Sequence, residues 1–187
     1  MLASFLRIKF PHLFWGAVAS SAPVQAIANY RGYNDVVAYS LSAAVVGGSP
    51  KCLNTVKEAF AQVGELLKTK DGQGTLESAF NICKKGALVS QDNQRLFAEV
   101  LSMQFSLQGN DPVCSGKLCN IAKTCKAILS PPGSAFDSLV NLTKESQGAV
   151  CIDIDYNKEL QELTDTKYTP GQNVRSWLYQ TCTEFGF

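Results

Sequence analysis

The residues best equipped for chemistry in this 187-residue chain are its seven cysteines: Cys52, Cys83, Cys114, Cys119, Cys125, Cys151 and Cys182. They are dispersed, with no CxxC pair, so zinc ribbons and thioredoxin-like redox motifs fit poorly. Dispersed cysteines suit disulfides formed in an oxidising compartment. Asn141-Leu142-Thr143 is a glycosylation sequon and points the same way. An odd number leaves either one free thiol or a partner outside the chain. Six cysteines fall between residues 52 and 151 and can close three bridges among themselves, while Cys182 stands apart.

The remaining chemical candidates are sparse. His12 is the single histidine, which argues against a His-based metal site and allows one candidate general base; before a strand-like run it reads as a polar turn residue. Ser20 and Ser21 close that run without the glycines of a nucleophile elbow, so neither reads as a nucleophile. Glu184 is a carboxylate in a nearly uncharged segment, fit to bind a substrate amine or to pair with an arginine. Trp177 and Tyr179 read as core. Asp153, Asp155, Glu159 and Glu162 lack the glycine and tight spacing of a calcium loop and read as a solvated face. No metal and no cofactor is expected. A net charge of +1 offers no basic stripe, so nucleic acid is not an expected partner. No apolar run approaches the roughly 18 residues of a membrane span. With 45% hydrophobic and 18% charged residues, a packed core is expected rather than disorder.

The elements that must carry these residues change character along the chain. Leu2 to Phe10 fits a helix stopped by Pro11, and Trp15 to Ser20 reads as a buried strand. The start is not read as a signal peptide, because Arg7 and Lys9 sit inside its apolar stretch and Pro11-His12 interrupts it. In an oxidising compartment that implies a natural start upstream. From residue 34 to 146 the pattern is helical. One helix runs to Gly47-Gly48, and another starts at Ser49-Pro50. Asp71 to Gly74 reads as a turn, followed by a short helix from Leu76 to Ile82. Ser90 and Asp111-Pro112 read as further helix starts, and Ser134-Ala135-Phe136-Asp137 as a capping box. Ala149 to Ile152 is short and β-like, and Tyr156 to Leu163 suits a surface helix. Thr169-Pro170-Gly171 is a turn, and Arg175 to Phe187 alternates as a strand does. This layout suggests a helical insertion in an α/β fold.

Two ordered motifs give that layout a family. Met1 to His12 with Gly16-Ala17-Val18-Ala19-Ser20-Ser21-Ala22-Pro23, and later Trp177-Leu178-Tyr179-Gln180-Thr181-Cys182-Thr183-Glu184-Phe185-Gly186, resemble the serine carboxypeptidase family. That family includes Pro-X carboxypeptidases, dipeptidyl peptidase 2 and thymus-specific serine proteases. The resemblance is strong over residues 1 to 23 and 175 to 187 and looser between them. It implies a partial α/β-hydrolase core with a large, inserted, disulfide-bonded helical cap. Residues 1–30 would form a core segment, 31–170 the cap and 171–187 a strand returning to the core.

The resemblance further implies a Ser nucleophile in a Gly-x-Ser-x-Gly-Gly elbow directly before the position of Met1, with the triad Asp and His beyond Phe187. The chain then holds none of the triad, so no catalytic residue is assigned and the chain alone is expected to be inactive. Met1 then need not be a natural start, and a partial sequence or gene model beginning there would fit. Met1 and Phe187 match positions that line an apolar pocket for the proline beside the scissile bond, and Glu184 joins them as a substrate-contact candidate. The implied partner is a peptide with proline near the cleaved bond, in a lysosomal or secreted setting, with homodimerisation open. The resemblance pairs Cys52 with Cys119 and Cys83 with Cys151, and places the partner of Cys182 past Phe187. Cys114 and Cys125 then remain. On one straight helix they would stand about 16 Å apart, beyond disulfide reach, so their pairing needs a break, which Ser115-Gly116 could provide; the other reading leaves Cys114 or Cys125 free. The alternative is a secreted, non-catalytic, disulfide-bonded helical module that binds an apolar ligand or a protein.

Overall fold

The computed structural model describes residues 1–25, 27–107, 109–167, 170–171 and 174–184. It divides into two compact units, residues 32–162 and residues 1–31 with 163–187.

The larger unit is built around α3, Pro50–Leu67, which packs against α2 (Gly32–Ser42), α4 (Lys70–Ala79), α6 (Ile121–Leu129) and α7 (Ala135–Gln147). Ser49 caps α3 by accepting from the Cys52 N–H at 3.1 Å, and Pro50 takes the first helical position, where a missing N–H costs nothing. Cys52, Val56, Ala59 and Val63 follow at three- and four-residue intervals, so they form one buried stripe. Phe80 is buried in the core, edge-to-face with Phe97 at 5.2 Å and with Phe136 at 5.8 Å. Phe97 lies on α5, Gln91–Met103. At the start of α7, Ser134 Oγ accepts from the Asp137 N–H while Asp137 accepts from the Ser134 N–H, the capping box expected from the sequence.

Two local expectations for this unit change, and a third holds in part. Asp71 to Gly74 are not a turn but the first turns of α4, because Thr69 Oγ1 accepts from the Gly72 N–H and starts the helix there. Gly72 serves close approach: a Cβ on it would stand 2.2 Å from the Leu66 carbonyl oxygen. Asp111-Pro112 does not open a helix either. Asp111 Oδ1 bonds the Val113 N–H two residues on, a side-chain turn that competes with helix, and the start falls instead at Asn120, which accepts from the Lys123 N–H. At Ser90 the helix begins as expected but without a side-chain cap bond.

The cysteine pairing is also corrected. Cys83 bonds Cys151 as the resemblance implies, but Cys52 bonds Cys125 and Cys114 bonds Cys119. The reason is the face of α6. Ile121, Cys125 and Ile128 form its buried stripe, so Cys125 is the cysteine turned toward α3. Cys119 lies before the helix, in the loop with Cys114, and a 6.2 Å Cα separation suits a bridge there.

In the smaller unit, α1 (Leu2–Lys9) forms as expected and stops before Pro11. Residues 15–20 do not form the expected strand. Trp15 is fully exposed, and its carbonyl accepts from Arg7 Nε at 3.1 Å. Val174–Thr183 is a helix, α9, where alternation suggested a strand. A strand needs a neighbour for its N–H and C=O groups. Among the described residues the only β-pairing is the single bridge between Ile82 and Ile152, so bonding in α9 is local. Its threonines contribute: Thr181 and Thr183 donate their hydroxyls to Leu178 and Tyr179 carbonyls at 2.9 Å each.

Candidate functional site

The residues expected to contact substrate belong to the smaller unit. Met1 precedes α1, is half-buried, and its carbonyl receives the Ser4 and Phe5 N–H groups. Glu184 follows α9, with an exposed side chain and its N–H bonded to the Gln180 carbonyl at 2.8 Å. Phe187 lies outside the described residues. Trp177 and Tyr179, expected in a core, are 50% and 71% exposed. His12 is exposed and meets Phe10 edge-on at 6.4 Å. Ser20 and Ser21 are exposed as well, Ser21 with a φ of +49°.

Cys182 on α9 is an exposed free thiol. Asn141 faces solvent on α7, whereas Thr143 of the same sequon is buried. Among the described residues, no group of three or more His, Cys, Asp or Glu is arranged to hold a metal ion. Nor is any helix there long and apolar enough to cross a membrane.

The larger unit carries an open groove of about 370 Å³ between α5 and α8, Tyr156–Thr164. Leu96, Val100 and Met103 give it an apolar side, and the acidic stretch lines the other. The stretch is solvated, as expected, and also organised by hydrogen bonds. Asp153 holds Lys158 at 2.6 Å and accepts from the Asp155 N–H, and these bonds keep its carboxyl below the usual carboxylate range. Glu159 is displaced the other way, first by burial and then by repulsion from Glu99 and Glu162. Asn93 Oδ1 on α5 accepts from the Tyr156 N–H and fixes the start of α8.

Two polar residues with defined work escaped the sequence reading. Glu77 is buried on α4, and its carboxylate accepts from the Gly86 N–H at 2.7 Å and the Leu88 N–H at 2.9 Å. It thereby folds the loop after Phe80. Its only sequence signal is a charge between Leu76 and Phe80. Lys123 sits on α6, where its ammonium donates to the carbonyls of Cys114 and Gly116.

Comparison with known proteins gives this arrangement its context. The family model described as serine carboxypeptidase S28 matches residues 1–187. The chain is 34% identical to the thymus-specific serine protease of Mus musculus and 35% identical to that of Homo sapiens, covering 100% of this chain and 38% of each relative. It is 25% identical to the lysosomal Pro-X carboxypeptidase of Bos taurus, over 98% of this chain and 37% of that protein. The chain thus spans under two fifths of the length of these relatives. No solved structure matches it. With the match running from the first residue to the last, the chain belongs to the serine carboxypeptidase S28 family.

Proposed function

We propose that this chain is the cap-bearing part of a serine exopeptidase that hydrolyses peptides next to proline or a small apolar residue. The observation that carries the proposal is the end-to-end family match combined with relatives more than twice as long. In this reading residues 1–30 and 171–187 belong to an α/β-hydrolase core, and 31–170 form the helical cap that restricts access to it. Met1, Phe187 and Glu184 contribute to the substrate pocket. The Ser nucleophile, its Asp and His lie in other parts of the protein. Catalysis proceeds through an acyl-enzyme, with backbone N–H groups stabilising the oxyanion. The setting is lysosomal or secreted, with Asn141 glycosylated and no cofactor required.

The large side chains exposed on α1, α9 and the loop between α1 and α2, Leu2, Ile8, Trp15, Val18 and Tyr179 among them, support this reading, since such surface is ordinarily covered. So does Cys182, whose thiol finds no partner among the described residues. A self-contained binding module would pair it internally. The test is fluorophosphonate labelling of the 187-residue chain beside a longer chain with the elbow serine. Labelling of the longer chain alone, together with release of a residue next to proline from a model peptide, is expected. Labelling of the short chain would overturn the assignment of the nucleophile, and a longer chain inert to both would overturn the peptidase reading.

A further inference from the structure

The three disulfides stand in different surroundings. Cys52–Cys125 is buried between α3 and α6. Cys83–Cys151 is exposed but flanked by main-chain bonds: Cys83 N–H to the Ile152 carbonyl and Ile152 N–H to the Asn81 carbonyl, both 3.0 Å. Cys114–Cys119 is half-exposed and spans a separation of only 5 residues, all in the loop before α6. Beside it stands a cation. Lys123 Nζ is 3.6 Å from Cys119 Sγ and 3.1 Å from the Gly116 carbonyl, and it also donates to the Cys114 carbonyl.

We infer that Cys114–Cys119 is a redox-labile clasp on the loop preceding α6, opened by a dithiol reductant, with Lys123 stabilising Cys119 as the leaving thiolate. A thiolate of the reductant attacks Cys114 Sγ. The Cys114–Cys119 bond breaks, and its electron pair leaves on Cys119 Sγ beside the ammonium. The second thiol of the reductant, as thiolate, attacks the mixed disulfide. This closes the reductant's own disulfide and frees Cys114, so two electrons pass from reductant to clasp. An ammonium beside the departing sulfur lowers its basicity, which speeds departure and favours the reduced form. Only a short loop is released. The tertiary bridge between α3 and α6, Cys52–Cys125, is shielded from attack by its burial.

The test exposes the full-length folded protein to graded dithiothreitol, traps thiols with iodoacetamide, and maps each cysteine by mass spectrometry after full reduction and isotopic alkylation. Cys114 and Cys119 are expected to be trapped at least 10-fold faster than any cysteine of the other two bridges. Amide exchange should rise only across residues 109–122. Lys123→Gln should slow this opening several-fold, and Lys123→Arg should restore most of it. Opening of Cys83–Cys151 at the same rate or sooner would overturn the clasp. A Lys123→Gln variant that opens as fast as the native chain, or faster, would overturn the role of the ammonium, because simple exposure or loop loosening would then account for the rate.

Discussion

The two units of this chain handle their apolar residues in opposite ways. In residues 32–162 Phe80, Phe97, Leu101, Leu139 and Leu142 are almost wholly buried, and three disulfides tie the helices and loops. In the other unit neither α1 nor α9 has a single buried residue, and Trp15 is bare. The larger unit is stabilised by its own interior. The smaller unit displays surface that apolar residues of this size ordinarily hide. The difference is what the proposed division into cap and core segments requires, since a cap has its own interior and core segments need the rest of the core.

Replacing Cys52 and Cys125 together with alanine tests that contrast hardest. Their bridge spans 73 residues, so its loss should cost about 4 kcal/mol in urea unfolding. Losing the short Cys114–Cys119 loop should cost only about 2 kcal/mol. Leu139→Ala, at a fully buried position of the larger unit, should cost about 3 kcal/mol. Trp15→Ser, in the smaller unit, should stay within about 0.5 kcal/mol by the same measurement. Equal effects of these last two would erase the contrast. Ser134→Ala removes one half of the α7 capping box and should cost about 1 kcal/mol.

The smallest effects are electrostatic. Hydrogen bonds from Ser134 hold the Asp137 carboxyl below its ordinary value of 3.8. Its folded pKa is therefore depressed, so its contribution is present above the unfolded pKa and is lost as pH falls through the folded one. Amide exchange at the start of α7 should rise in that acid range. Glu159 has the opposite sign. Its folded pKa is raised above the usual 4.5, so the folded state is favoured at acid pH and penalised as pH rises through the raised value. Glu159→Gln should raise the unfolding free energy slightly at pH 7, by under about 0.5 kcal/mol, and the gain should vanish near pH 4. A variant less stable at pH 7 would show that the carboxylate makes a favourable contact.

The sequence made local signals legible and long-range ones less so. Ser49-Pro50 and the Ser134–Asp137 box act within one helical turn, and both helices start where those residues stand. Cysteine pairing depends on which face of α6 turns to α3, a tertiary fact, and so Cys119 and Cys125 were exchanged. Gly72 looked like a turn residue because a glycine needed for close packing and one needed for a turn have the same letter. The alternation over Trp177, Tyr179 and Thr181 signals a strand only where a neighbouring strand can pair with it. Of the substrate-contact candidates, Met1 and Glu184 lie in the smaller unit, each with its described hydrogen bonds made by the main chain.

The two ends of the sequon on α7 set an order of events during biosynthesis. Asn141 faces outward, but Thr143, the residue that completes the signal, is 1% exposed. Its hydroxyl donates to the Leu139 carbonyl at 2.8 Å and receives Gln104 Nε2 at 3.1 Å. Once α7 has packed, the signal can no longer be read as a whole. Any sugar on Asn141 must therefore be attached before α7 packs, and its occupancy becomes a clock that records whether transfer or folding came first.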